Sequence, residues 1–282
     1  MASLGADRAA IASQSGQMHL TVSTDPLTPK ARHIHGQGTP EATWRRWNTL
    51  QQLPPLSLAR LAPPGAHVVV VAPHPDDEVL GCGGALSMLS RAGRSIHVIG
   101  VTDGEASHAG SPRWPPQLLG AARRTERQAG LERLGHAVSA VSLEIPDGHV
   151  QAFEERLAAA LERVLEPGDT VLTTWRFDGH PDHEATARAT LLAASRVGCR
   201  CWQMPVWMWH WAAPGDARVP WERLHRLELT PMASQAKARA IAAHDSQLQP
   251  IERECRPAVL PDWALARLLR PFETFFEPEN IS

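Results

Sequence analysis

Two short segments hold the residue types used by hydrolytic metal sites. The first is Pro73-His74-Pro75-Asp76-Asp77-Glu78, the second Asp178-Gly179-His180-Pro181-Asp182-His183. Imidazole nitrogen and carboxylate oxygen suit a borderline cation such as zinc. His74 and Asp77 are three residues apart where the chain enters a helix, so both side chains fall on one face of its first turn. Asp76 lies between them and points elsewhere, free to sit beside a metal rather than on it. His180 and His183 repeat the spacing, with Asp182 beside them. An acidic helix start accounts for Asp76, Asp77 and Glu78 through the helix dipole but leaves His74 unexplained. A surface-loop position accounts for either cluster's histidine singly. Coincidence explains poorly two His-Pro-Asp elements that each close a strand and open a helix. Catalytic zinc takes three protein ligands and one open position, whereas closed structural sites take four, commonly cysteines. Neither segment contains a cysteine, and the nearest, Cys82, comes one turn later. The chemistry indicated is hydrolysis by a metal-activated water.

The surrounding pattern supplies the frame for these segments. Residues 67–72 (HVVVVA) are β-branched and apolar and read as a central parallel strand buried on both faces. Strands are also expected over 95–101, 137–143, 170–174, 201–211 and 224–229. Helices are expected over 79–92, 118–134, 152–165, 183–196 and 231–244. Repeated βα units make an α/β fold with a doubly wound, mostly parallel sheet and helices on both faces. Ligands of such sheets bind beyond the carboxyl ends of the strands. A dinucleotide site would place G-x-G-x-x-G after the first strand, where this chain has a histidine and three acids that repel phosphate. Gly81, Gly83 and Gly84 come later, inside the expected helix, and read as allowing close packing of helix on strand. Residues 1–43 are polar and turn-rich and read as an arm. Trp44, Trp47, Leu50 and Leu53 recur at threefold spacing, as in a short amphipathic helix closed by Pro54-Pro55. The organisation expected is an N-terminal extension (1–64) and one domain (65–282).

Composition excludes several classes. Lys and Arg total 28 against 30 Asp and Glu, so the basic excess of a nucleic-acid or anionic-membrane binder is absent. Mean hydropathy is −0.25, and no apolar run approaches the length of a spanning helix. Residues 1–20 lack a basic start followed by an apolar core, so no secretory leader is expected. Cys82, Cys199, Cys201 and Cys255 form no C-x-x-C pair and read as reduced thiols of a cytoplasmic protein. Nothing in the sequence specifies an oligomeric state.

The run VVVAPHPDDEVLGCGG, followed by DGHPDHEAT, resembles the N-acetylglucosaminyl-phosphatidylinositol de-N-acetylase family, also called PIG-L/LmbE-like. Its members are zinc-dependent N-deacetylases with a Rossmann-like α/β fold, and the resemblance covers residues 65–250. It implies one Zn2+ per chain, with Fe2+ as the alternative, held by His74, Asp77 and His183. It implies Asp76 as the general base and His180 as the group that stabilises the oxyanion or protonates the leaving amine. Asp182 would orient His180. Looser matches are Asp103 in Thr102-Asp103-Gly104-Glu105, Arg123 in Arg123-Arg124-Thr125-Glu126 and Asp147 in Ile145-Pro146-Asp147-Gly148, as substrate contacts. Asp-Gly turns explain Asp103 and Asp147 about as well. A solvated helix charge is the other reading of Arg123, and the doubled arginine leaves its register open. Residues 237–247 resemble a family helix ending in H-x-S-Q, with Ser246 and Gln247 bracing the site loops. His244 fits a helix C-terminal histidine favoured by the dipole.

Trp207, Trp209 and Trp211 alternate, so on a strand they share one face, read chiefly as core packing. Trp114 sits in a loop and is the better candidate for substrate contact. The function implied is metal-dependent hydrolysis of the N-acetyl group of an N-acetylglucosamine-type conjugate, giving acetate and a free amine. The partner would be a small amino-sugar conjugate, with no nucleic acid and no integral membrane association. Two alternatives stand beside it. A metal-dependent hydrolase of another ester or phosphoester would want more acidic ligands. A non-catalytic glycan- or nucleotide-binding module would make the metal residues incidental.

Overall fold

The computed structural model describes residues 32–135 and 138–278. The expected arm up to residue 31, the stretch read as lacking a leader and the first residue of the expected 137–143 strand lie outside the described residues.

Seven strands form one sheet in the order β3-β2-β1-β4-β5-β7-β6. They are β1 (Val68–Ala72), β2 (Ile96–Gly100), β3 (Val138–Ser142), β4 (Thr170–Thr174), β5 (Arg200–Met204), β6 (Leu224–Glu228) and β7 (Phe272–Phe276). The first five pair in parallel, and β7 runs antiparallel to β5 and β6. The pleat sends alternate residues to opposite faces. Val68 and Val70 enter one core with Ile96, Val98, Leu172 and Trp202; Val69 and Val71 enter a second with Ile99, Val101 and Val171. Helices α1 (Asp77–Arg91), α2 (Pro116–Glu132) and α5 (Pro231–Ile241) cover the first face through Leu86, Leu89, Leu131 and Ala240. Helices α3 (Glu154–Leu161) and α4 (Pro181–Val197) cover the second through Leu157, Leu161, Ala185 and Ala189. This is the expected Rossmann-like, doubly wound α/β architecture.

Three elements differ from expectation. The strand expected over 201–211 ends at Met204, where Pro205 follows, and the chain continues into a short helix, Met208–Trp211. Trp207, Trp209 and Trp211 therefore share no strand face. The helix expected around Trp44 breaks at Trp47 (φ −85°, ψ 103°) into Glu41–Arg46 and Asn48–Gln51. Trp44, Leu50 and Leu53 are buried in the first core, with the Trp44 ring edge-on to Trp209 at 5.1 Å. Strand β7 was not anticipated.

Helix α1 must lie close to the sheet to present its N-terminus. A Cβ at Gly81 would stand 2.5 Å from Met204 Sδ, and one at Gly84 2.5 Å from Leu229 Cδ1. The helix also departs from helical geometry at Cys82 (φ −142°, ψ 15°). Glu273 of β7 serves this kink: its carboxylate accepts the Gly84 and Ala85 N–H groups, each at 2.8 Å. Lys237 Nζ neutralises that carboxylate at 2.7 Å, with both side chains almost wholly buried. β1 lies between β2 and β4, so its crossovers leave in opposite directions. The crevice beyond the carboxyl ends of β1 and β4 is the topological switch point where ligands bind.

Removing one partner of a buried ion pair leaves an uncompensated charge. Lys237→Met is expected to lower the unfolding free energy by about 3 kcal/mol or more. Urea denaturation checks this, and a loss under about 1 kcal/mol would mean that Glu273 is not held ionised by Lys237.

Candidate metal centre

Both His-Pro-Asp segments open into the switch-point crevice. It holds a cavity of about 250 Å³, whose lining includes His74, Asp76, Asp77, Arg123, Asp147, His180 and His183. The chain turns sharply out of β1, and Asp76 takes φ 146°, ψ −26° as the residue before α1. This lies outside the usual regions for an L-residue and costs about 1–3 kcal/mol. The turn places Asp77 between two imidazoles: its Oδ2 is 3.2 Å from His74 Nδ1 and 3.2 Å from His183 Nε2, and it accepts the His74 N–H at 3.0 Å. Asp76 turns the other way, and its Oδ2 accepts from Arg123 Nη2 at 3.1 Å.

Carboxylates surround His74. Its Nε2 is 3.1 Å from Asp147 Oδ1 and 3.4 Å from Asp182 Oδ2, with Asp77 on the other nitrogen. Burial disfavours its cation, yet these three acids hold His74 well above the usual imidazole range. The His183 ring is fixed from behind. Asp178, fully buried, accepts the backbone N–H groups of Val206, Trp207 and Met208 at 3.0, 2.9 and 2.9 Å. His183 Nδ1 donates to it at 2.8 Å. Nε2 is then the nitrogen left to face Asp77, and it is buried with no hydrogen-bond partner. An imidazole lone pair pointing at a carboxylate requires a cation or a proton between them. Burial opposes charge on His183, but Asp77 and Asp178 raise it to about 9. The donor set therefore fits a divalent metal. Among the described residues, His74, His180 and His183 bring ligand atoms within 4.8 Å of one another, as do His74, Asp147 and Asp182. Asp77 belongs to neither group, although its Oδ2 lies 3.2 Å from one nitrogen each of His74 and His183.

His180 is the residue preceding α4, and its Nδ1 accepts the Asp182 N–H at 3.2 Å. The proton of the neutral ring therefore sits on Nε2. Burial, then the charges of His183 and His74, pull His180 down to about 3. It is thus a neutral donor. The Asp182 carboxylate does not orient it. Oδ1 accepts from Val150 N at 3.1 Å and Oδ2 from Gly148 N at 2.7 Å, so this acid ties down the loop after β3. Asp76 is lifted by burial to about 6, with Asp77 adding to the rise and Arg123 opposing it.

The remaining expected residues separate into two groups. Arg123 and Asp147 reach the cavity. Arg123 is 3% exposed and also donates to the Gly104 and Pro75 carbonyls, at 2.8 and 3.1 Å. Asp147 Oδ2 accepts from Ala106 N at 2.9 Å. Asp103 and Trp114 are absent from the lining. Asp103 points behind the loop, accepting from Ser142 Oγ at 2.7 Å and pairing with Arg124. Trp114 packs beside His108, centroids 6.4 Å apart. The tryptophan that does line the cavity is Trp207, held by its N–H on Asp178. Ser246 donates to Glu126 of α2, and Gln247 Nε2 to Ser107 Oγ at 3.4 Å, so both brace the site loops. His244 Nδ1 lies on the Ala240 and Ile241 carbonyls at a helix C-terminus.

Residues 69–194 match the family GlcNAc-PI de-N-acetylase (PIG-L). The match takes in a little under half of the chain, and that segment is similar to the PIG-L family domain. A 1D-myo-inositol 2-acetamido-2-deoxy-alpha-D-glucopyranoside deacetylase from Saccharopolyspora erythraea is 29% identical over 173 residues, covering 48% of this chain and 55% of that protein. Another from Rhodococcus opacus is 26% identical over 185 residues, covering 55% and 58%. The chain thus spans little more than half the length of these curated relatives. Among solved structures, the conserved protein TT1542 from Thermus thermophilus is 25% identical with TM-score 0.52, covering 77% of this chain and 96% of that one. The A40926 pseudoaglycone deacetylase Dbv21 shares the fold of the PIG-L domain at TM-score 0.56 and 24% identity, covering 77% and 98%.

Asp178 is the residue of the matched segment that sequence reasoning passed over. Asp178→Ala strands three buried N–H groups and the His183 Nδ1 proton, each costing about 1–3 kcal/mol. The variant is expected to lose about 3 kcal/mol or more of stability in urea denaturation. A loss below about 1 kcal/mol would show that this carboxylate is not what holds the ring.

Proposed function

We infer that the chain is a metal-dependent N-deacetylase that hydrolyses the N-acetyl group of an N-acetylglucosamine-type conjugate, releasing acetate and a free amine. The orphaned His183 Nε2 facing Asp77 Oδ2 carries this reading, because that pair has no stable state without a cation or a proton. His74, Asp77 and His183 would hold the ion, with zinc the first choice and ferrous iron the second for a mixed nitrogen and oxygen set. When bound, such an ion supplies Lewis acidity and lowers the pKa of water. The curated relatives are named for deacetylating an acetamido sugar, which supports the same substrate class here.

The chain's own residues divide the proton work. Asp76, raised to about 6, is ionised enough at neutral pH to take a proton from attacking water and acidic enough to return it. His180 holds a neutral Nε2–H toward the cavity and donates a hydrogen bond to the developing oxyanion, while the proton that Asp76 took from water goes on to the departing amine. Arg123 keeps Asp76 aimed and partly offsets its rise. Asp147, at the cavity wall, is placed to accept from sugar hydroxyls, and Trp207 offers a flat apolar surface to a sugar ring. The domain carrying this reaction is 65–282, with 1–64 as its extension. The cytoplasm is its proposed place, on the reading of Cys82, Cys199, Cys201 and Cys255 as reduced thiols; none of the four is in a disulfide. No described helix is long and apolar enough to cross a membrane.

Acetate release from a panel of N-acetylated amino sugars and their conjugates tests the reading. The protein should hold one divalent ion per chain and release acetate from at least one member. Asp76→Asn should keep the ion and lose roughly a hundredfold or more in kcat, while His183→Ala should lose the ion. A fully metal-loaded protein that releases no acetate from the whole panel would sink the proposal.

A further inference from the structure

The peptide of Asp76 is pinned on every side. Its carbonyl accepts from Val79 N at 3.0 Å and Leu80 N at 2.8 Å, which ties it to the start of α1. Its carboxylate is held by Arg123. Its N–H points to Glu78 Oε2 at 3.3 Å. Glu78 is fully buried, and its cationic neighbour is Arg127 of α2, with Nε 3.4 Å from Oε1 and 3% of the arginine side chain exposed. Arg127 reaches this place only because residue 100, the last of β2, is glycine: a Cβ there would lie 1.7 Å from Arg127 Nη1.

This buried pair is a poor device for stability. Arg127 Nε and Nη2 and Glu78 Oε1 make no hydrogen bonds, so the desolvation of two charges is only partly offset. Well-packed apolar residues in the same volume would serve folding as well or better. What apolar residues cannot supply is an acceptor for the Asp76 N–H, at the residue with the least favourable backbone in the site.

We propose that Glu78 and Arg127 form a positioning pair that holds the Asp76 peptide in its strained conformation, so that the Asp76 carboxylate faces the cavity. Arg127 fixes Glu78 and Glu78 fixes the amide; neither touches substrate. The inference rests on Asp76 acting as the base of the proposed deacetylation.

Two double variants separate positioning from packing. Glu78→Met with Arg127→Met removes the charges and the acceptor at similar volume. Glu78→Gln with Arg127→Met removes the charges but keeps a carbonyl acceptor. The Met/Met variant is expected to keep the parent's bound metal and KM and to lose roughly tenfold to a hundredfold in kcat. The Gln/Met variant should recover to within a few-fold of the parent. Hydrogen exchange at the Asp76 amide reads the clamp without turnover: protected in the parent and in Gln/Met, faster in Met/Met. An unprotected Asp76 amide in the parent overturns the proposal, even if a variant fails to fold. So does an unchanged kcat in Met/Met, a kcat that falls only with metal content, or a Gln/Met variant no better than Met/Met. Absence of acetate release from the parent with a protected Asp76 amide would instead count against the deacetylase reading alone, leaving the clamp in place.

Discussion

A buried lone pair pointing at a buried carboxylate is the constraint on which the rest of the site depends. His183 Nε2 and Asp77 Oδ2 are 3.2 Å apart with no hydrogen bond of the nitrogen between them. Asp178 makes this unavoidable, because it takes the proton of Nδ1 and leaves the other nitrogen as the acceptor. The three carboxylates around His74 build the same demand a few ångströms away. Protons can answer it, as the upward shifts of His74 and His183 indicate. A metal entering the site must displace those protons, so affinity for it rises as pH rises through that range.

Helix α2 carries much of the support, and it does so with polar residues facing inward. Arg123, Glu126, Arg127 and Gly130 fall on one face at helical spacing. Arg123 reaches Asp76, Glu126 receives Ser246, Arg127 meets Glu78, and Gly130 makes room for the His244 ring, 2.9 Å from where its Cβ would be. An apolar stripe in these positions would pack well enough and would leave the segment from Pro73 to Glu78 without its charge partners. The helix therefore sacrifices some packing of its own to set the register of the Pro73–Glu78 turn against the α5 end of the fold.

The parts of this arrangement that were readable in sequence are those where local pattern and topology coincide. The 67–72 run could hardly be anything but a central strand, and its alternating valines do supply both cores. The two His-Pro-Asp turns follow strands that proved to be neighbours at the switch point. Asp178 was unreadable because an Asp before Gly looks like a turn, and its three backbone partners come from a segment whose fold was misjudged. That segment, 201–211, alternates tryptophans at a strand's period, yet Pro205 ends the ladder and the chain winds into a single helical turn. Arg123 and Arg124 are adjacent, and only the helix phase says that the first turns inward while the second pairs with Asp103 at the surface. Strand β7 escaped because its role is set by a distant kink in α1, which Glu273 caps.

The reacting groups and the walls of the cavity also have different origins in the chain. His74, Asp76, Asp77, Arg123, Asp147, His180 and His183 all fall within the 69–194 match, whereas Trp207, Gln247, Val259 and Leu260 line the same cavity from beyond it. The proposed reaction needs the geometry of the first set. The second set sits on a short helix and on loops rather than on the parallel sheet. A cavity of about 250 Å³ lies below the roughly 300–1,000 Å³ of ordinary ligand pockets, so the bulk of a larger conjugate must run out across these outer residues. Trp207 and Val259 can therefore change without disturbing the strand ends that carry the proposed chemistry. That is why the family match over 69–194 supports the reaction proposed for this chain and leaves the conjugate to be determined by what lies outside it.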